Sequence, residues 1–209
     1  MKGKFITLEG CEGAGKSRQM QLLTQFFDKK GIEYISTREP GGTPVAERIR
    51  AIILSRENEN MADECEVLLY AAARAEHLKN RVIPALNAGK TVICDRFIDS
   101  SFAYQAYARG IGYETVAAAN RFAFENCMPD VTLFLDISPT EAFLRKGGAD
   151  AGDRIEAEGL AFHRRVYEGY LALAEKFPER IVKIYCKGTR EQTHENIVAA
   201  LVSRGIVKE

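Results

Sequence analysis

An excess of charge of one sign is the first thing this 209-residue chain lacks. Lysine plus arginine equals aspartate plus glutamate, 29 each, so the formal net charge is zero. No global field recruits DNA, RNA or an anionic membrane surface. No apolar run approaches the ~20 residues that a membrane-spanning helix needs. Cysteine is sparse and unpatterned: Cys11, Cys65, Cys94, Cys127 and Cys186 are odd in number and never spaced C-x-x-C, which argues against a zinc ribbon or a disulfide frame. Cys94 and Cys186 sit in apolar runs and read as small buried hydrophobes. The three histidines, His77, His163 and His194, have no metal-ligand or catalytic spacing and read as structural. There is no repeat, low-complexity tract or break in composition, and Met1-Lys2-Gly3-Lys4 leads into a strand with no leader pattern. These absences leave a single cytoplasmic globular domain, long enough to bury a core without staples.

What is present is alternation. β-rich runs stand at Phe5–Leu8, Tyr34–Thr37, Thr91–Cys94, Val131–Leu135 and Ile181–Tyr185, several of them continuously apolar, as parallel strands covered on both faces are. Helical patterns fill the gaps. Leu22, Leu23, Phe26 and Phe27 repeat at helical spacing and Gly31 closes that helix. Asn87-Ala88-Gly89 ends the helix before the third strand. Thr43-Pro44 reads as an N-cap with proline at the first helical position. Ser138 to Glu141 and Thr189 to Gln192 match a capping box. The expected fold is α/β: a three-layer, five-stranded parallel sheet with helices on both faces and ligands beyond the carboxyl ends of the strands. Gly147 to Gly152 reads as a mobile loop between two helices, a lid.

The first chemistry-bearing stretch is ITLEGCEGAGKSRQ, residues 6–19. Gly10, Gly15, Lys16 and Ser17 fit G-x-x-x-x-G-K-S/T between a strand and a helix, a phosphate cradle. Backbone N–H groups from Gly13, Ala14, Gly15, Lys16 and Ser17 can turn toward a β-phosphate at the helix N-terminus. Lys16 would bridge the β- and γ-phosphates and Ser17 would hold Mg²⁺. Glycines at 10, 13 and 15 do not make the dinucleotide pattern G-x-G-x-x-G, which argues against NAD. Arg18 either reaches the α-phosphate or faces solvent. The run Thr91 to Arg96 ends an apolar strand in a carboxylate, so Asp95 suits a Mg²⁺-holding role or, more plainly, caps the next turn.

Arginines form the third signal. Arg38 ends the second strand, Arg50 lies on the helix after it, Arg74 sits in the apolar helix Tyr70-Ala71-Ala72-Ala73-Arg74, and Arg96 follows Asp95. Arg145, Lys146 and Arg154 flank the glycine loop. Singly, each is an ordinary surface charge. Together they are what phosphoryl transfer between two anions requires. A hydroxyl acceptor needs a general base, a part that Glu39 could play. A phosphate monoester, with a second pKa of ~6, is already a dianion and needs only neutralisation, alignment and exclusion of water. The arginine set favours the anionic acceptor. A deoxynucleoside kinase using Glu39, and a slowly hydrolysing nucleotide switch, remain the competing readings.

These residues carry a resemblance to bacterial thymidylate kinases over essentially the whole length. It rests on Leu8 to Ser17, on Thr37-Arg38-Glu39-Pro40-Gly41-Gly42-Thr43, on Tyr70 to Arg74, on Asp95-Arg96-Phe97-Ile98-Asp99-Ser100-Ser101-Phe102-Ala103-Tyr104-Gln105 and on Asp153-Arg154-Ile155-Glu156. The resemblance implies one P-loop kinase domain over residues 1–209 with a lid at about 145–154, the reaction ATP + dTMP ⇌ ADP + dTDP with Mg²⁺, and a homodimer. It implies that Glu12 meets the 3′-hydroxyl side of dTMP and that Arg38, Arg50 and Arg96 surround the acceptor phosphate, beside Glu39, Pro40 and Ser100. It implies a cis peptide before Pro40. Tyr70 would stack on thymine, although an ordinary core aromatic is the alternative; the same ambiguity attaches to Tyr104 and Tyr107. Arg74 would hydrogen-bond the base, Ser101 and Gln105 would read its edge, and Tyr104 would lie under the sugar. Gly13 matches the bacterial class, whose lid usually supplies arginines. This lid is short of them, so the work falls to Arg145, Lys146 and Arg154, with the one that touches the transferred phosphoryl left open. Glu158 is a weaker candidate for orienting Mg²⁺ or water.

Overall fold

The computed structural model describes residues 2–145 and 152–208. Lys146 and residues 147–151, on which most of the expected lid falls, therefore lie outside the described residues. Five strands form one parallel sheet: β1 (Phe5–Glu9), β2 (Tyr34–Arg38), β3 (Thr91–Asp95), β4 (Val131–Asp136) and β5 (Ile181–Tyr185), in the order β2-β3-β1-β4-β5. Each of the first four strands runs one residue further than the hydrophobic pattern predicts. The added residues are Glu9, Arg38, Asp95 and Asp136, all charged and all at the carboxyl edge where an α/β sheet binds its ligand. Apolarity marks the covered body of a strand and is blind to this polar last residue.

Helices cover both faces. α1 (Lys16–Lys30) and α10 (Arg190–Ser203) pack on one side, where Leu23, Phe27, Ile197 and Leu201 meet Ile6 and Leu8 of β1. The other side carries α2 (Pro44–Leu54), α3 (Asp63–His77), α4 (Ile83–Asn87), α5 (Ile98–Ser101), α6 (Tyr113–Ala119), α7 (Arg121–Asn126) and α9 (Gly159–Lys176); α8 (Pro139–Arg145) follows β4. The period-two alternation of a strand sends Phe5, Thr7 and Glu9 toward this second face. Phe5 joins its apolar core. Thr7 hydrogen-bonds Thr132 at 2.8 Å, and Glu9 is the carboxylate left beneath α5.

Local signals explain the termini. Thr43 caps α2 with Pro44 at its first position, and Gly31 closes α1 in the left-handed conformation. Thr189 and Gln192 make the full reciprocal capping box. Ser138 makes only half of one: its hydroxyl accepts from the Glu141 amide, and the Glu141 carboxylate takes the Ser138 hydroxyl rather than the backbone N–H. Residues 102–108 continue α5 in a π-helical form, a rare geometry that tends to mark functional sites. α9 crosses this segment closely because residue 169 is glycine. A Cβ there would lie 3.0 Å from the Tyr107 Cβ and 3.1 Å from the Ala103 Cα.

Candidate active site

A cleft of about 670 Å³ opens over the carboxyl ends of β1, β2 and β3. The phosphate loop forms its floor. Gly13 is held at φ +76, and a Cβ on it would come within 2.7 Å of the Ala142 carbonyl oxygen, so only glycine lets the loop lie against α8. Lys16 is buried, its Nζ donating to the carbonyls of Gly10 and Cys11 at 3.2 and 3.1 Å. Burial and the nearby Arg96 guanidinium lower its pKa. Ser17 and Asp95 line the same cleft. The Asp95 Oδ1 is buried without a hydrogen-bond partner, an arrangement that suits a cation or its bound water. Among the described residues there is no cluster of three or more His, Cys, Asp or Glu side chains able to hold a metal alone, as befits an ion held largely by substrate phosphates.

Arg96 is the pivot. It is the non-glycine residue with a positive φ among those described, at 68°, a conformation that the surroundings must enforce. Its Nη1 donates to Gly10 O (3.1 Å), Ser100 Oγ (3.3 Å) and Tyr170 Oη (3.2 Å). Its guanidinium lies 5.2 Å from the Tyr104 ring centroid and its Nη2 is 3.6 Å from the Glu12 carboxylate. Below it is Glu9, which accepts from Phe97 N (2.7 Å), Ser100 N (3.2 Å), Ser100 Oγ (2.7 Å) and Tyr170 Oη (2.7 Å). Burial, and then the neighbouring Asp99, push the Glu9 carboxyl up to about 7. Sequence reading passed over Glu9 and Tyr170. A carboxylate ending a buried strand was the available signal for the first; nothing local signals the second.

The wall facing the phosphate loop draws on residues between β2 and the π-helical segment. Arg38, Glu39, Pro40, Arg50, Tyr70, Arg74, Ser100, Tyr104 and Gln105 all line the cleft. The Glu39–Pro40 peptide is cis. Arg50 donates to Pro40 O at 2.9 Å, and Arg38 pairs with Glu47 at 2.9 Å. Arg74 is buried and multiply held: Nε to Glu39 (2.7 Å), Nη1 to Ser101 Oγ (3.0 Å) and Asn120 Oδ1 (2.5 Å), Nη2 to Phe97 O (3.1 Å). The other Glu39 oxygen lies 2.9 Å from His77 Nδ1, and His77 Nε2 lies 2.8 Å from Thr37 Oγ1. His77 is therefore structural, as its isolation in sequence suggests. Glu39 is a brace rather than a free base. Tyr70 is half-buried, and burial pushes its phenol up to about 12, so it presents a neutral ring.

The other expected site residues divide between positions behind the cleft and positions lining it. Ser101 sits behind Arg74, supporting it, and does not line the cleft. Arg154, one of the three cations expected to serve the transferred phosphoryl, turns away: it is buried, with Nε on Ile53 O at 2.8 Å and Nη2 on Glu66 at 2.5 Å. The sequence could not show this, because the carboxylate that captures it lies on α3, far along the chain. Glu158 is likewise taken, by Arg109 at 2.7 Å. Arg145 does line the cleft, beside the Cys186–Thr193 segment, and donates to Cys186 O at 2.7 Å. Arg18 lines it too, with one guanidinium nitrogen donating to Gln21 at 2.6 Å.

The model of the thymidylate kinase family matches residues 8–197. Similar proteins include a thymidylate kinase of Clostridium novyi, 50% identical over 94% of this chain and 97% of its own. A thymidylate kinase of Bacillus cytotoxicus is 47% identical over 98% and 99%, and one of Bacillus cereus is 47% identical over 96% and 98%. The match spans the end of β1, the phosphate loop, the cleft-lining residues 38–105 and strands β2 to β5. The chain belongs to the thymidylate kinase family.

Proposed function

We propose that this chain transfers the γ-phosphoryl group of ATP to dTMP, giving ADP and dTDP. The single observation that carries the choice of acceptor is the state of Glu39. A hydroxyl acceptor needs a carboxylate free to take its proton. Glu39 is instead engaged on both oxygens by Arg74 and His77. A phosphate dianion makes no such demand, and Arg38, Arg50 and Arg96 supply the cations it requires. Family membership supports the same acceptor.

In this reading Gly13 to Ser17 cradle the donor phosphates, and Lys16 spans the β- and γ-oxygens. Arg96 bridges donor and acceptor sides, its charge set where negative charge is shared in the transition state. Glu12 sits toward the sugar and Tyr104 beneath it. Tyr70 stacks on the base and Arg74 offers its remaining Nη2 donor to a base carbonyl. Arg145 serves the donor end. Mg²⁺ fits Ser17 and the unpaired Asp95 oxygen, and when bound it would neutralise charge on the donor phosphates. We further read the chain as one domain with a lid at about 145–154, working as a homodimer in the cytoplasm. Expected mass by light scattering is twice 23.3 kDa.

The test is ADP release from ATP and Mg²⁺ with single acceptors. We expect strong turnover with dTMP, weaker turnover with dUMP and none with thymidine. Turnover with thymidine would restore Glu39 as a base and overturn the phosphate-acceptor assignment. Release independent of acceptor would leave a hydrolase or switch.

A further inference from the structure

Glu66 does not line the cleft, yet it is the most heavily bonded carboxylate near the base end. It is fully buried on α3. It accepts from Gln105 Nε2 (2.9 Å), Arg109 Nε (2.8 Å), Arg109 Nη2 (2.9 Å) and Arg154 Nη2 (2.5 Å). Burial alone would raise its pKa, but Arg109, Arg154 and Gln105 together carry it below the ordinary value. It is therefore an ionised carboxylate at neutral pH, and such a group only accepts hydrogen bonds.

That fixes an orientation. A glutamine amide is a donor at one end and an acceptor at the other. Only the donor end can face Glu66, so Oε1 is the atom of Gln105 left for the cleft that it lines. We infer that Glu66 is a positioning residue for acceptor specificity, holding the Gln105 amide so that the pocket presents a carbonyl to the base. An acceptor there matches the N3–H of thymine or uracil and opposes the lone pair on N3 of cytosine. The inference rests on the dTMP reading above. Tyr70 and Arg74 follow Glu66 at intervals of four on the same helix, so one face of α3 carries both the base-contacting groups and the residue that sets Gln105.

Replacing Glu66 by glutamine tests this. Arg109 Nη2 and Arg154 Nη2 share Oε2 and would keep the new carbonyl there, leaving the new NH₂ in place of Oε1, toward Gln105, at the loss of the Arg109 Nε bond to that atom. Gln105 would then turn its own carbonyl to residue 66 and its NH₂ to the cleft. In Glu66→Gln the ratio of kcat/KM for dTMP to that for dCMP should fall at least ~10-fold relative to wild type, because a matched hydrogen bond becomes a mismatched one. In a Gln105→Met background, which has no amide to turn, the same change at 66 should leave the ratio unaltered. If Glu66→Gln does not fold, Glu66→Asp keeps the charge for the arginines but withdraws the acceptor from Gln105, and the ratio should fall about 3-fold. A lowered melting temperature with an unchanged ratio would overturn the inference and leave Glu66 a structural anchor. A wild-type enzyme that does not prefer dTMP over dCMP would instead overturn the base reading on which the inference stands.

Discussion

Glu9 shows how a single residue ties stability to the site. Its carboxyl is pushed up to about 7 from an ordinary 4.5, so between these values the folded protein keeps a proton that the unfolded chain releases. Its contribution to stability is fully present below 4.5 and is lost as pH rises toward 7. Glu9→Gln cannot ionise and should flatten this part of the profile, by on the order of 1–3 kcal/mol between about pH 5 and about pH 8. Urea midpoints of both proteins across that range give the check; a difference between them that does not vary with pH would refute it. Arg154 makes the contrasting case. Because it is buried against Glu66 and Ile53 O, Arg154→Met should cost about 1–3 kcal/mol of stability, since the Ile53 carbonyl and one Glu66 oxygen each lose a donor while Arg109 still pairs with Glu66. Saturated turnover, measured below the melting transition, should stay within about 3-fold of wild type, since the transition-state losses that mark a reacting cation run to 100-fold and beyond. A collapse in kcat without a stability loss would return Arg154 to the transferred phosphoryl.

Among the elements, the contact between α9 and the π-helical segment 102–108 is the most tightly specified. Gly169 permits it, and Gly169→Val would drive a branched side chain onto the Ala103 backbone. Overpacking of this kind costs about 1–3 kcal/mol. Here it should also raise KM for dTMP, because Tyr104 and Gln105 ride on the displaced segment; a variant destabilised with KM unmoved would separate packing from binding. The elements were largely legible in the sequence. Apolar runs marked all five strands, and Thr43, Thr189 and Gly31 marked the ends of their helices by chemistry that acts over three or four residues. What stayed hidden has longer reach. The Gly13–Ala142 and Gly169–Ala103 approaches, the capture of Arg154 by Glu66, and the retreat of Ser101 behind Arg74 all depend on residues distant in sequence. The phosphate loop and the Arg38–Pro40 and Asp95–Gln105 stretches were readable because each gathers its chemistry locally. Glu66 and Asn120, which merely hold those residues in place, carry no local signature.

For the whole molecule, sheet order determines which stretches of chain meet each substrate. The wall proposed for dTMP draws mainly on residues 38–105, from β2 to the segment after β3, with Glu12 reaching the sugar from the phosphate loop, while the donor side draws on residues 13–19, Arg145 and 186–193. Ligands that bind only the folded state stabilise it by about 2.7 kcal/mol at a hundred times their Kd. With separate walls, the gains from ADP and from dTMP should sum when both are present, a thermal-shift measurement that strong mutual exclusion would contradict. The same division makes specificity modular. A recombinant carrying residues 38–105 from a relative with a different acceptor should inherit that acceptor while keeping its donor. Selection could thus revise what this fold phosphorylates without disturbing what it phosphorylates with.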